Sequence, residues 1–221
     1  MTARGFDRRL LIWSATAWLA TACVFTASWA LAAASTPEPL VRPDDMTMGN
    51  AKAKVTVVEY ASAACPHCAR FNNNVFPSFK KKYVDTGKVR YVYREFLTEP
   101  VPVAAAGALL ARCAGKAKYF GVLDDFFHGQ AQAYETGDVR GLLVSVGKKA
   151  GLSEDQVKAC IDDDAAAKAL NDRVEHWANA EGVDSTPTFV INGKKLADLD
   201  HEVVLADLDA AIGPLLKTAG R

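Results

Sequence analysis

Neither sign of charge is in excess in this chain of 221 residues, where 26 Lys and Arg balance 26 Asp and Glu. No basic run stands out. Nucleic-acid binders gather lysine and arginine on one face to neutralise phosphates, so nothing points to that class of partner. Histidine is scarce, and the four histidines stand apart at positions 67, 128, 176 and 201. There is a single CxxC and no second cysteine or histidine pair at metal-ligand spacing, whereas a structural zinc ion takes four ligands. No metal site is predicted. Otherwise the composition is ordinary, 50% hydrophobic and 24% charged. The length suits one domain with a sizeable core, or one domain carrying a large insertion.

Charge is also missing from Leu10 to Ala34, a stretch rich in Ala, Leu, Trp and Val that follows Arg4, Arg8 and Arg9. It closes on Ala32-Ala33-Ala34-Ser35, a small-x-small cleavage signature, so residues 1–34 read as a secretory signal peptide. A retained membrane anchor is the alternative, because the stretch is just long enough to span a bilayer. Ser14, Thr16, Thr21, Thr26 and Ser28 make it a poor permanent span. Cleavage removes Cys23 and leaves Cys65, Cys68, Cys113 and Cys160. An even number of cysteines in an exported protein suits two disulfides.

Residues 35–49 hold Pro37, Pro39, Pro43 and Gly49 without apolar periodicity, and read as a linker. Val55 to Tyr60 is a near-continuous β-branched run, the pattern of a strand buried on both faces. A short loop, Ala61 to Ala64, leads to Cys65-Pro66-His67-Cys68 at the predicted start of a helix. Phe71, Val75, Phe79 and Tyr83 share one face of that helix, which Pro77 should kink. Val89 to Phe96 is a second strand, and the β-α-β order makes the two strands parallel. Residues 50–99 thus form the first part of an α/β domain.

No strand pattern appears over 100–172, where apolar helical stripes recur, among them Tyr119, Phe120, Leu123, Phe126 and Phe127. Ser153 with Gln156 forms a capping box at the start of one of these helices. The α/β part resumes over 173–216. A long helix ends at Gly182, a strand follows at Phe189 to Ile191, and Asn192-Gly193 turns it into a hairpin. Asp200 caps a last helix whose Val204, Leu208 and Ile212 face inward and which Gly213-Pro214 ends; residues 217–221 are a tail.

The chemistry centres on the CxxC. At a helix N-terminus the unpaired backbone N–H groups and the helix dipole favour a thiolate at Cys65. His67 adds positive charge or a donor near that sulfur, and Pro66 with His67 between the cysteines suits redox work. Cys65 is therefore the predicted nucleophile and Cys68, one turn inward, the resolving thiol. Glu59 lies inside the first strand, where a lone carboxylate costs several kcal/mol unless paired or protonated. Either it pairs with Lys88 or Arg90, or it exchanges a proton with Cys68.

Strand, CPHC, Tyr93-Arg94-Glu95-Phe96 and the run from Gly182 to Gly193, which includes Ser185-Thr186-Pro187-Thr188-Phe189, occur in the order of a thioredoxin-like fold interrupted by an all-helical insertion. From about residue 41 to 213 the chain resembles the DsbA family of exported disulfide oxidoreductases. The resemblance implies a low-pKa Cys65, an oxidising disulfide, and a cis bond at Pro187 facing the cysteines. It also implies that Thr186 and Pro187 pair with an extended substrate peptide, and that Glu59 serves proton transfer. Implied partners are folding secreted proteins with cysteine pairs and a membrane quinone-linked partner that reoxidises the enzyme in the periplasm. No organic cofactor or metal is called for.

Cys113 and Cys160, both on predicted helices of the insertion, read as a structural disulfide rather than two unrelated thiols, because the compartment is oxidising. Closing so long a loop would stabilise the fold by about 4 kcal/mol on chain-entropy grounds. Two rivals stay open: a monomeric reductase or isomerase using the same CxxC, and a thiol-based copper-binding module. The short stretch before the first strand leaves no room for an N-terminal dimerisation domain of the isomerase kind, which argues against isomerisation; a monomer is expected.

Overall fold

The computed structural model describes residues 39–197 and 200–218. The signal-peptide reading of 1–34 lies outside them. One sheet is built from Met46–Gly49 (β1), Val55–Ala61 (β2), Val89–Glu95 (β3), Thr188–Ile191 (β4) and Lys194–Lys195 (β5), in the order β1-β3-β2-β4-β5. β2 is central and buried along its whole length, as its β-branched run requires. It pairs in parallel with β3 and antiparallel with β4. Asn192, with φ 48°, and Gly193, with φ 81°, make the β4–β5 turn. The Asn192 side chain also ties down the start of β2, accepting from the Thr56 N–H at 2.7 Å.

The helices are Pro66–Asn74 (α1), Phe76–Phe79 (α2), Val101–Cys113 (α3), Tyr119–Thr136 (α4), Val139–Lys149 (α5), Glu154–Ile161 (α6), Asp164–Ala180 (α7) and Leu205–Thr218 (α8). The kink near Pro77 is a full break: α1 stops at Asn74, α2 restarts with Pro77 in its first turn, and a π-helical turn follows at Lys80–Val84. The Ser153–Gln156 capping box opens α6.

Strand alternation sorts the side chains into two layers. Val55, Val57, Ala61, Val89, Tyr91 and Tyr93 join the main core with Phe71 and Phe79 and with Leu208 and Ile212 of α8. Val58, Tyr60 and Val92 face the other way, onto Trp177 of α7. Completely buried side chains such as Phe79, Leu110 and Ile212 each contribute about 1.5–3 kcal/mol.

Three boundaries differ from the sequence reading. The predicted linker 35–49 ends in β1, because the free edge of β3 pairs with Met46–Gly49 in the register Met46↔Tyr93. That strand is induced by its neighbour, not by its own weak propensity. The boundary at 172 falls inside α7, which serves both parts: Leu170 packs with Leu109 of α3, and Trp177 packs on the sheet. The last helix starts at Leu205, leaves Val204 43% exposed and runs through Pro214 to Thr218. Asp200 lies before it, paired with His201, while the Asp207 carboxylate accepts from the Val204 N–H at 2.9 Å.

Candidate active site

Cys65 is the N-cap of α1, with extended backbone (φ −77°, ψ 120°) and Pro66 in the first turn. This places its sulfur where the helix has unpaired N–H groups and the positive end of its dipole. The Cys68 N–H points at Cys65 Sγ from 3.5 Å, and the Cys65 thiol reaches the Thr186 carbonyl at 3.4 Å. Both cysteines are free thiols and buried. A hydrogen bond from the Cys68 thiol is the largest influence on Cys65, pulling it down to about 5 against the effect of burial. The backbone N–H groups of Cys68 and His67 add to the pull. Cys68 moves the other way, well above the ordinary thiol range, because it is buried and faces the Cys65 sulfur and Glu59.

Glu59 sits in β2 behind the cysteines, 3% exposed. Burial pushes its carboxyl up to about 8; the Tyr91 hydroxyl, which donates to Oε2 at 2.5 Å, partly opposes this, and the Cys65 charge raises it further. Neither Lys88 nor Arg90 is its partner. Arg90 lies on the opposite face of β3 from Tyr91, and Lys88 is exposed before the strand begins. Of the two roles read for His67, a charge or a donor near the sulfur, the geometry favours the donor. Its exposed imidazole turns to Glu202, 2.6 Å from Oε1, and to Arg70 at 2.8 Å, so its favourable effect on Cys65 comes through its backbone N–H.

The Thr186–Pro187 bond is cis, and this loop walls one side of the site. Beside it a cleft of about 650 Å³ opens, lined by His67, Phe71, Thr186, Pro187, Leu196 and Glu202 among others. Away from the CxxC, Cys113 of α3 and Cys160 of α6 are joined by a disulfide, with their Cα atoms 5.8 Å apart. Among the described residues no group of three or more His, Cys, Asp or Glu is arranged to hold a metal ion.

Several residues that position the site escaped the sequence reading. The loop before Cys65 is clamped by the helical insertion: Gln130 Nε2 donates to the Ala63 carbonyl at 2.6 Å, and the Tyr134 hydroxyl to that of Ala64 at 2.9 Å. Ser62 Oγ accepts from the Ala64 N–H and from the Thr98 hydroxyl. Gly107 of α3 lies so close that a Cβ there would meet the Ala63 Cβ at 2.5 Å. The one signal in the sequence was Gln130, a polar residue within the otherwise apolar stripe of α4.

A thiolate-stabilised cysteine at a helix start, paired with a high-pKa thiol one turn inward, is a thiol–disulfide exchange centre of thioredoxin type. The family model described as thioredoxin matches residues 42–212. The chain belongs to that family, and its helical insertion makes it a DsbA-type member. A Rickettsia conorii protein that bears the name of a protein-disulfide oxidoreductase is 35% identical over 173 residues, 78% of this chain and 62% of that one. The chain thus spans less than two thirds of that relative's length. The crystal structure of Wolbachia pipientis α-DsbA1 is 28% identical, covers 81% of this chain and 94% of its own, and superposes with a TM-score of 0.71. BdbD from Bacillus subtilis, at 21% identity and a TM-score of 0.67, shares the fold.

Proposed function

We propose that this protein is an exported thiol–disulfide oxidoreductase that donates the Cys65–Cys68 disulfide to folding secreted proteins. The observation that carries the reading is the setting of Cys65 as the N-cap of α1, with the Cys68 N–H aimed at its sulfur from 3.5 Å and Cys68 buried one turn inward. This setting holds Cys65 down to about 5 and pushes Cys68 well above its ordinary value. A Cys65 thiolate stable at neutral pH favours the dithiol form, which makes the disulfide a good electron acceptor.

In the forward reaction a substrate thiolate attacks Cys65 Sγ, the Cys65–Cys68 bond breaks, and a mixed disulfide forms. Cys68 leaves and takes a proton, which the Glu59 carboxyl holds at neutral pH because burial raises it to about 8. The second substrate thiolate then attacks the substrate sulfur, and Cys65 departs as a thiolate. The substrate is oxidised by two electrons, one of its protons ends on Cys68, and the other goes to solvent. Thr186, Pro187 and the adjoining cleft hold the extended substrate chain, with the Thr186 carbonyl already facing Cys65. Cys113–Cys160 braces the insertion and takes no part in exchange. A membrane quinone-linked partner returns the enzyme, a periplasmic monomer, to its disulfide form.

Equilibration of Cys65–Cys68 with glutathione tests this reading, with a potential well above that of thioredoxin expected. A value near thioredoxin's, about −270 mV, would overturn donation in favour of reduction. Tight copper(I) binding by the dithiol form, without exchange activity, would replace the enzyme reading with a metal-binding one.

A further inference from the structure

The exchange reaction leaves one need unmet. While a substrate is bonded to Cys65, the active-site face is covered, yet Cys68 must still receive a proton and buried Glu59 must be recharged. The side of Glu59 away from that face holds a route. Tyr91 of β3 donates its hydroxyl to Glu59 Oε2 at 2.5 Å, and the same residue lines a second cleft of about 250 Å³ on the α4 side of the sheet. Tyr93 lines this cleft as well, and Asn72, Lys80 and Asp124 bring polar groups to it. Glu59 itself does not line it, whereas Tyr91, which holds the Glu59 carboxyl, does.

We propose that Tyr91 is a positioning residue that relays protons from this cleft to Glu59. The inference rests on the exchange reading given above. In the relay, the Glu59 carboxyl gives its proton to the departing Cys68 thiolate. The phenol proton then passes to Glu59 Oε2, while the phenol oxygen takes a proton from solvent in the cleft. Tyr91 ends as it began, no electrons move in the relay, and the net transfer is one proton from solvent to Cys68.

The titratable groups facing Glu59 are Cys65 and Cys68 from α1 and Tyr91 and Tyr93 from β3. Tyr119 of α4 faces Tyr91, and Glu95 faces Tyr93 and Tyr119. From β4 the register opposite Glu59 is filled by Phe189, which does not titrate. Arg112 stands one step further out, on Glu95 and beside Tyr119, while among the described residues the one side chain that hydrogen-bonds Glu59 is Tyr91, which also lines the cleft.

The test is the single-turnover reduction of the full-length, oxidised protein by dithiothreitol, measured across pH and normalised to the thiolate fraction of the reagent. Wild type, Tyr91→Phe, Glu59→Gln and the double variant are compared. The wild-type rate should fall on the alkaline side as Glu59, which burial raises above the ordinary carboxyl range, loses its proton. Tyr91→Phe keeps the ring in its packing, removes the donor that stabilises the carboxylate, and should move this limb up by about one pH unit. It should also slow the plateau about tenfold and change the solvent isotope effect. In the Glu59→Gln background the same substitution should change the rate less than twofold.

An equal loss in both backgrounds would show that Tyr91 acts by packing alone and would overturn the relay. So would a wild-type profile with no alkaline limb, or an unmoved limb in Tyr91→Phe. None of these outcomes alters the glutathione equilibrium, so failure of the relay and failure of the oxidase reading are read separately.

Discussion

Two buried glutamates, Glu59 on β2 and Glu95 at the end of β3, line the same face of the sheet, 3% and 2% exposed. They are the same residue type at nearly the same burial, and they are solvated by opposite means. Glu59 receives one neutral phenol, that of Tyr91. Glu95 accepts two hydrogen bonds from the Arg112 guanidinium, at 2.5 and 2.8 Å, and one from the Tyr119 hydroxyl at 2.8 Å, with Arg173 at 3.7 Å. Those partners come from α3, α4 and α7, so Glu95 rivets the helical insertion to the sheet. Burial alone therefore does not decide what a carboxylate does. A fixed cation holds it as an ion, whereas a neutral donor lets burial raise its carboxyl.

The comparison breaks most visibly at Glu95. Glu95→Ala leaves Arg112 and Arg173 without their common anion and should cost about 3–5 kcal/mol. The lower end is expected, because the Arg112 side chain keeps 20% of its surface in solvent. Chemical denaturation checks the loss. The Cys65–Cys68 potential of the fraction that stays folded should not move, and a large shift would mean that Glu95 belongs to the redox site after all.

Glu59 should show the reverse pattern. Its folded value, about 8, lies above the ordinary 4.5, so between these two the folded state holds a proton that the unfolded chain has released. Its contribution is complete below about pH 4.5 and is lost as pH rises through 8. Between pH 5 and pH 7 this amounts to about 2–3 kcal/mol of declining stability. Glu59→Gln removes the ionisation, so the difference in stability between variant and wild type should grow with pH in the variant's favour over that range. Parallel pH profiles for the two proteins would show that Glu59 is not raised.

Much of this arrangement was legible in the sequence because it is local. The CxxC after a β-branched run, the helix cap at Ser153 and the Asn192-Gly193 turn each carry their physical cause within a few residues. The Glu59 partner was legible in principle too. In Val89 to Glu95 the alternation puts Tyr91, Tyr93 and Glu95 on one face and Arg90 and Arg94 on the other, so Arg90 and Tyr91 cannot both reach Glu59. Charge complementarity suggested an arginine where strand parity demanded a tyrosine. The strand β1 and the clamp by Gln130 and Tyr134 were not legible, since each exists only where distant elements dock. The direction of the His67 ring was not legible for a related reason: its Glu202 partner lies 135 residues away.

Glu202 is the exposed counterpart of the two buried glutamates and supplies the smallest effect. It accepts from Arg70, with Nε at 2.8 Å, and approaches His67 at 2.6 Å, yet about half of its side chain lies in solvent. Arg70 first, with a further contribution from His67, holds its carboxyl down to about 2. A depressed carboxyl stabilises the fold above its ordinary value and loses that contribution as pH falls, here from 4.5 toward 2. Water and salt screen an exposed pair, so Glu202→Gln should cost less than about 1 kcal/mol at neutral pH, and less again at high ionic strength. Its more telling readout is Cys65. Arg70 interacts with the Cys65 thiolate as well as with Glu202, so removing the competing carboxylate should lower the Cys65 value slightly, as followed by thiolate absorbance. A rise would show that Glu202 acts on the sulfur by orienting Arg70 rather than by neutralising it.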